Sequence, residues 1–158
     1  MMNSQYTGRL PEKLSSRGMM MATAESCTGG MIAQWLTAIP GSSAWFAGSV
    51  VSYDNSWKAG ILGVPETTLE EKGAVSAETV HAMLDGILKC PRTDAAVAVS
   101  GIAGPGGGTP EKPVGTVVIG AALNNGARKV EICRFQGDRD EVRRQSAQYA
   151  LQLLESLL

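Results

Sequence analysis

Apolar segments of strand length alternate with helical patterns between residues 19 and 100, and this order constrains the fold more than any other feature. Residues 19–24 form a short, mostly apolar run, and a helical pattern follows over 28–37. Residues 46–53 and 94–100 are further strand candidates, separated by an amphipathic helix over 76–88. Strands that are joined through helices usually pair in parallel. The order therefore predicts an α/β fold.

The C-terminal part of the chain adds a hairpin and a long helix. Residues 116–123 and 129–135 are strand candidates joined by the turn sequence 124–126. A last helix is predicted over 138–158. Since a hairpin pairs its strands antiparallel, the sheet is expected to be mixed. No internal repeat or linker interrupts the sequence, and we expect one domain over residues 1–158.

Composition excludes several classes of protein. The chain has 158 residues, of which 44% are hydrophobic and 18% charged, which is typical of a globular domain. Its net charge of -1 gives no general attraction to nucleic acid or to an anionic membrane. The apolar stretch Val117–Leu123 is too short to span a bilayer. Met1–Gly18 is too polar for a signal peptide, so we expect a cytosolic location.

The cysteine and histidine content argues against a metal centre. The three cysteines form no C-x-x-C pair, and an odd number leaves one over, so a disulfide framework is not expected. A single histidine excludes a His-rich metal site. That residue, His81, falls in the middle of the amphipathic helix, where a surface or boundary position is the natural interpretation.

Three unusual segments follow three predicted strands: residues 25–30, 52–58 and 100–109. In α/β sheets, ligands bind at the carboxyl ends of the strands. Because the carboxyl ends of parallel strands share one edge of the sheet, we expect these segments to meet. Their convergence predicts a functional site.

Ser26 and Lys58 are the candidates for chemistry within these segments. A hydroxyl at a helix N-terminus faces free N–H groups, which suits a nucleophile that forms an oxyanion. The alternative is that Ser26 or Thr28 merely caps the helix. Cys27 has no partner base, and a serine nucleophile without histidine needs a lysine. Lys58 fits that role if it is buried and neutral, and otherwise it is an ordinary solvated lysine.

Two further features suggest a site for an anion. The loop from Gly101 to Thr109 is rich in glycine, and its successive N–H groups can cradle an anion, although the loop is equally compatible with a flexible connection. Arg139 and Arg143 lie one turn apart at the start of the last helix and could hold a phosphate. The alternative for both arginines is salt bridging within the helix.

Seven motifs, taken in order, are specific to one family. They are Thr23–Gly30, Pro40–Ser43, Tyr53 with Lys58, Gly73–Ser76, Ser100–Thr109, Lys112–Thr116 and Gly137–Arg139. Together they resemble the CinA C-terminal domain family over about the whole chain. The family includes stand-alone nicotinamide-nucleotide amidases.

The resemblance implies a three-layer α/β/α sandwich with a mixed, mostly parallel sheet. It also implies hydrolysis of nicotinamide mononucleotide to nicotinate mononucleotide and ammonia. Ser26 and Lys58 would form the catalytic pair, with Tyr53 assisting, and no cofactor or metal is required. Backbone N–H groups near Ser26 and in the turn 40–43 would hold the oxyanion. The substrate-binding residues expected on this basis are Gly29, Gly41, Ser42, Ser43, Ser100, Gly101, Gly107, Thr109, Arg139 and Arg143.

Other interpretations stay open from the sequence. A non-catalytic nucleotide-binding or regulatory module of the same family would keep the glycine loops and the arginines without using a nucleophile. A role in contact with nucleic acid is suggested only by the family's name, and the net charge of -1 opposes it. The expected partner is a small pyridine mononucleotide, and a homo-oligomer is a further expectation.

Overall fold

The computed structural model describes residues 6–158 as one five-stranded sheet covered by helices on both faces. The strands are β1 (Met21–Glu25), β2 (Phe46–Val51), β3 (Ala95–Gly101), β4 (Thr116–Leu123) and β5 (Arg128–Arg134). The helices are α1 (Leu10–Ser16), α2 (Met31–Thr37), α3 (Asn55–Gly60), α4 (Glu66–Lys72), α5 (Ala77–Leu88) and α6 (Arg139–Glu155).

The sheet is mixed, with the strand order β2-β1-β3-β4-β5. β1 pairs in parallel with both β2 and β3, whereas β4 pairs antiparallel with β3 and with β5. Four of the five strands therefore point the same way, and β4 alone runs against them. The predicted α/β class with a mostly parallel, mixed sheet is confirmed.

Each face of the sheet buries its own apolar core. On one face, α1, α2 and α6 cover side chains such as Met21, Val97 and Ile119. On the other, α5 covers alanines and valines of β1, β3 and β4. Both central strands β3 and β4 are almost completely buried, which explains their continuous apolar sequences. The result is the expected three-layer sandwich.

Two short helices were not predicted. α1 has seven residues and buries only Leu10 and Leu14, and α4 follows Pro65 with no fully buried side chain. With two buried apolar positions in α1 and none in α4, neither segment shows enough apolar periodicity to be recognised in sequence. The interpretation of Met1–Gly18 falls partly on residues 1–5, which lie outside the described residues. Ser76 is the N-cap of α5, as predicted, because its hydroxyl accepts from the Thr79 N–H.

Candidate active site

The three unusual segments meet at the carboxyl edge of the parallel strands. Glu25, the last residue of β1, lies opposite Val51 of β2 and Val99 of β3. The segments that follow these strands therefore begin at the same level of the sheet. The chain leaves β1 over α2 towards β2 and returns to β3 on the other side of β1, which is where α/β sheets open a crevice.

A cavity of about 290 Å³ lies at this crevice. Its volume is at the lower end of the range for small-molecule sites. The described residues that line it include no carboxylate. They are Ser26, Cys27, Tyr53, Asn55, Lys58, Ala74, Val75, Ser100, Gly101, Ile102, Ala103, Gly104, Gly106, Gly107 and Arg139.

Lys58 is buried against Ser26 in this cavity. Its side chain is 1% exposed, and its Nζ lies 3.0 Å from Ser26 Oγ. Nζ also donates to the carbonyl oxygens of Ser52 at 2.8 Å and Tyr53 at 3.2 Å. A neutral amine has two N–H donors and one lone pair. If both donors of the neutral amine are held by carbonyls, its lone pair is left to accept from the Ser26 hydroxyl. Because Lys58 is buried, the interpretation as an ordinary solvated lysine is wrong.

Burial lowers the pKa of Lys58 below its ordinary value of 10.5. Taking an ammonium group out of water favours the neutral amine. The carboxylate of Asp54 opposes this effect and raises the pKa of Lys58. Asp54 is the N-cap of α3 and accepts from the Ser56 N–H at 3.0 Å. Burial therefore favours the neutral, basic form of Lys58, and the Asp54 carboxylate reduces this shift of the pKa.

Ser26 does not cap α2. The N-cap is Gly30, at φ 97°, and the helix begins at Met31, three residues later than the sequence predicted. A positive φ of this kind favours glycine. The N–H groups of the first turn are satisfied by Glu25 instead, whose carboxylate accepts from Ile32 and Ala33 at 3.1 and 3.0 Å. The capping alternative is wrong, and the Ser26 hydroxyl is left to Lys58.

The glycine loop after β3 carries free backbone donors. No N–H between Ala103 and Gly108 donates a hydrogen bond within residues 6–158, and four of these amides belong to residues that line the cavity. Lys112 Nζ anchors the far side of this loop by donating to the Lys72 carbonyl at 2.9 Å. The tethered loop that lines the cavity therefore has backbone N–H groups without a partner among the described residues, as an anion site requires.

Arg139 and Arg143 have different surroundings. Arg139 lines the cavity and donates to the Gly104 carbonyl at 2.7 Å and to the Tyr53 hydroxyl at 3.2 Å. Arg143 instead donates to the carbonyls of Cys27 and Thr28, both at 3.0 Å, and is absent from the lining. Neither forms the salt bridge weighed as the alternative, which is made by Arg144 with Asp140.

Tyr53 contacts Lys58 through its backbone and not through its ring. Its carbonyl accepts from Lys58 Nζ, while its side chain is 61% exposed and its hydroxyl accepts from Arg139. The ring therefore lies at the mouth of the cavity. A direct part of the phenol in catalysis stays a prediction.

Several predicted binding residues lie outside the cavity. Gly41, Ser42 and Ser43 precede β2, at the amino edge of the sheet, whereas Ser26 follows β1 at the carboxyl edge. Within this chain, that turn is at the wrong end of β2 to hold an oxyanion at Ser26. Gly29 and Thr109 are also absent from the lining, whereas Ser100, Gly101 and Gly107 are present.

Comparison with known proteins places the chain in one family. Residues 3–158 match the CinA C-terminal domain. The chain belongs to the CinA C-terminal domain family. Membership of this family confirms the resemblance carried by the seven motifs.

Relatives of two lengths share this domain. The chain is 50% identical over 150 residues to the nicotinamide-nucleotide amidohydrolase PncC of Escherichia coli, covering 95% of this chain and 91% of that protein. It is 52% identical over 155 residues to a CinA-like protein of Desulfotalea psychrophila. That match covers 98% of this chain but 37% of that protein. The chain thus spans about a third of the longer relatives and nearly all of the shorter ones.

A solved structure of the family has the same fold. The crystal structure of competence/damage inducible protein CihA from Agrobacterium tumefaciens matches with a TM-score of 0.89. It is 42% identical, and the match covers 99% of each chain. Within residues 6–158 no helix has the length and apolar character needed to cross a membrane.

In this member of the CinA C-terminal domain family, sequence reasoning missed several cavity residues. Ala74 and Val75 form one wall from the connection between α4 and α5, and Asn55 contributes from the start of α3. Asn55 carries a polar side chain and lies within the segment 52–58 that was predicted to reach the site. Ala74 and Val75 lie within the motif Gly73–Ser76, which was not assigned a place in the site. The carboxylate of Glu25 was also missed, although it lies beside Ser26 in the sequence.

Cys27 is expected to be dispensable. It is 6% exposed, and burial raises the pKa of its thiol to about 11, so the thiolate is scarce at neutral pH. Cys27→Ala should therefore keep most of the turnover, with folding checked by circular dichroism. If Cys27→Ala abolished turnover while Ser26→Ala did not, the cysteine would be the nucleophile instead.

Proposed function

We propose that this protein hydrolyses the carboxamide of nicotinamide mononucleotide to nicotinate mononucleotide and ammonia. The observation that carries the proposal is the 3.0 Å contact between Lys58 Nζ and Ser26 Oγ, at a lysine that is 1% exposed in the cavity. Burial of a lysine in a cavity costs free energy, because either its charge or its neutral amine must be kept away from water, and such perturbed groups cluster at functional sites. A binding module would gain nothing from placing a lysine beside a serine hydroxyl in this way.

The first half of the reaction forms an acyl-enzyme. Neutral Lys58 accepts the proton of Ser26, whose oxygen attacks the carboxamide carbon. The carbonyl π electrons move to oxygen, and the oxyanion is held by backbone N–H groups near Ser26. When the tetrahedral intermediate collapses, the carbon–nitrogen bond breaks and Lys58 returns the proton to the leaving nitrogen. Ammonia departs, and the pyridine carbonyl remains esterified to Ser26.

The second half hydrolyses the ester by the same groups. Lys58 accepts a proton from water, the hydroxide oxygen attacks the ester carbonyl, and Ser26 leaves as it recovers its proton from Lys58. The positive pyridinium ring assists both halves. It withdraws electrons from the carbonyl, and its charge disfavours the ammonium form of Lys58.

The phosphate of the mononucleotide is assigned to the glycine loop and Arg139. The free N–H groups between Ala103 and Gly107 and the guanidinium of Arg139 lie on one side of a cavity whose described lining has no carboxylate. This arrangement suits a dianion. The relative of similar length, PncC of Escherichia coli, is named for a nicotinamide nucleotide, which supports the same assignment. A cytosolic location and a homo-oligomer stay predictions.

Release of ammonia tests the proposal directly. Purified protein is incubated with nicotinamide mononucleotide, and ammonia and nicotinate mononucleotide are measured together. Equal amounts of both products are expected. A protein that binds the nucleotide without forming either product would be the non-catalytic module instead.

Arg139→Ala is expected to raise KM for nicotinamide mononucleotide by about tenfold or more, because a charge-assisted contact to phosphate is lost. Nicotinamide riboside lacks the phosphate, so its kcat/KM should change little. The matched control is Arg144→Ala, since Arg144 pairs with Asp140 on the surface. Equal impairment on both substrates would contradict the phosphate assignment.

Chelators are expected to leave turnover unchanged. The proposed chemistry uses a serine and a lysine, and no group of three or more potential metal ligands occurs within residues 6–158. Activity is measured before and after dialysis against EDTA. A loss that zinc or magnesium restores would overturn the metal-free mechanism.

A further inference from the structure

The loop that carries the nucleophile is held from two sides by opposite charges. On one side lies the carboxylate of Glu25, which is 0% exposed. On the other side lies the guanidinium of Arg143, which reaches the loop from α6. The Glu25 carboxylate accepts hydrogen bonds from N–H and O–H groups of the loop, and the Arg143 guanidinium donates hydrogen bonds to carbonyls of the loop. We call this pair the loop clamp.

Both carboxylate oxygens of Glu25 are fully used. One accepts from Thr28 Oγ1 at 2.8 Å and from the N–H groups of Gly30 and Ile32 at 3.2 and 3.1 Å. The other accepts from the Ala33 N–H at 3.0 Å and from one of the hydroxyls of Thr23 and Ser49, which also share a hydrogen bond of 2.6 Å with each other. Five donors and no hydrogen-bonded cation surround this carboxylate among the described residues, and four of the five come from the loop and the start of α2.

Arg143 completes the clamp from the outside. Its Nε donates to the Cys27 carbonyl and its Nη2 to the Thr28 carbonyl, each at 3.0 Å. A Cβ added at Gly29 would lie 3.2 Å from the same guanidinium. The packing at this point therefore favours glycine at position 29. The two carbonyl contacts also hold the peptide planes that join residue 27 to 28 and residue 28 to 29 in one orientation.

The clamp leaves two backbone donors next to the nucleophile without a partner. The Ser26 N–H is already used, because it donates to the Val99 carbonyl at 3.0 Å. Among residues 6–158, the N–H groups of Cys27 and Thr28 donate no hydrogen bond to another residue, and the Cys27 N–H contacts only its own thiol. The Thr28 N–H shares its peptide plane with the Cys27 carbonyl, so Arg143 fixes its direction through that carbonyl. The Cys27 N–H shares its plane with the Ser26 carbonyl, which accepts from the Gly29 N–H at 3.0 Å, and Arg143 holds Gly29 through the Thr28 carbonyl.

We propose that Glu25 and Arg143 are positioning residues that orient the Ser26–Gly30 loop for catalysis, so that the N–H groups of Cys27 and Thr28 remain available to an oxyanion. This inference rests on the proposed function in one respect, namely that Ser26 is the nucleophile. It gives Arg143 a role different from phosphate binding. It also explains why the chain buries an acidic residue next to the catalytic serine.

The first test compares Arg143→Met with Arg144→Met, its neighbour on the same helix. Arg144 makes only a surface contact with Asp140. Arg143→Met is expected to lower kcat on nicotinamide mononucleotide by about a hundredfold, since a small misplacement of reacting groups or donors has an effect of that size. KM should change by less than about threefold, because no binding contact is removed. Arg144→Met should behave as the unmodified protein.

A second readout separates positioning from stability. Phenylmethylsulfonyl fluoride labels an activated serine. The mass of the intact protein, followed over time, gives the rate constant for labelling of Ser26, which is compared for the folded fraction of each variant. Arg143→Met is expected to lower this rate constant together with kcat. A purely structural role would reduce the folded fraction and the melting temperature while leaving the rate constant of each folded molecule unchanged.

The Glu25 side is tested through Thr28, because Glu25→Gln places an amide N–H group among backbone donors and is expected to fold poorly. Thr28→Val removes the 2.8 Å bond to Glu25 and should lower kcat by about tenfold. Thr28→Ser keeps the hydroxyl and should recover most of that loss. Equal rates for the two variants would overturn the part assigned to Glu25.

The outcomes distinguish this inference from the proposed function. If Arg143→Met matches Arg144→Met in both kcat and labelling rate, the loop clamp is wrong although the enzyme is active. If the unmodified protein releases no ammonia but Ser26 is labelled, the substrate is wrong, and the labelling rates still decide the clamp. If the unmodified protein releases no ammonia and Ser26 is not labelled, the clamp has no nucleophile to position and is wrong as well. If ammonia is released without labelling, the comparison of kcat decides the clamp.

Discussion

Replacement of Ser26 by alanine is expected to lower kcat on nicotinamide mononucleotide by about a thousandfold or more. In the proposed mechanism the Ser26 oxygen bonds to the carboxamide carbon, and water cannot replace it in the acyl-enzyme. Cys27 does not substitute for it, because burial raises the pKa of that thiol to about 11. The measurement is ammonia release under saturating substrate, with binding of the nucleotide checked by calorimetry.

The matched control for this variant is Ser146→Ala. Ser146 is also a buried serine, but it lies on α6 and its hydroxyl donates to the Val142 carbonyl within that helix. Turnover of Ser146→Ala should stay close to that of the unmodified protein. Near-normal turnover in a folded Ser26→Ala protein would end the covalent mechanism. Added hydroxylamine should also trap the acyl group as a hydroxamate in the unmodified enzyme and not in Ser26→Ala.

Lys58→Met is expected to cause a loss of similar size, about a thousandfold, because the serine then lacks a base. The double variant Ser26→Ala/Lys58→Met should be about as slow as either single variant. Two residues that act as one unit give losses that do not add. If the two losses multiplied instead, Ser26 and Lys58 would act independently and the dyad would be wrong.

The pH profile gives the second signature of Lys58. Because the reaction needs the neutral amine, kcat/KM should rise with pH as Lys58 loses its proton, at a pH below its ordinary pKa of 10.5. Lys58→Met should remove this rise. Asp54→Asn should move it to lower pH, because the Asp54 carboxylate raises the pKa of Lys58 and asparagine still caps α3. A rise that persists in Lys58→Met would assign the titration to another group.

The place of the site and two of its candidate residues could be predicted from the sequence. The carboxyl ends of parallel strands share one edge of a sheet, so the segments after β1, β2 and β3 had to meet once these strands were recognised. Ser26 and Lys58 were candidates because the single histidine, His81, fell in the middle of a helix, and it is exposed there. The glycine loop was recognised by composition alone.

Other features depend on contacts that no local pattern encodes. Arg139 and Arg143 are equivalent in sequence, one turn apart, yet one lines the cavity and the other binds the loop of the nucleophile. The turn at 40–43 has a motif of the family, but its place before β2 puts it at the opposite edge of the sheet from Ser26. Which group a side chain meets depends on how distant elements pack.

The sequence by itself determined the α/β class, the mixed sheet and the set of segments that meet at its carboxyl edge, because periodicity and strand order are local properties of the chain. Only the tertiary structure decided that Lys58 is buried against Ser26, a residue 32 positions away. It also decided that Glu25, and not a serine or threonine, satisfies the start of α2. The protonation of a lysine and the availability of a hydroxyl depend on burial and hydrogen-bond partners, and both arise only when segments far apart in sequence pack together.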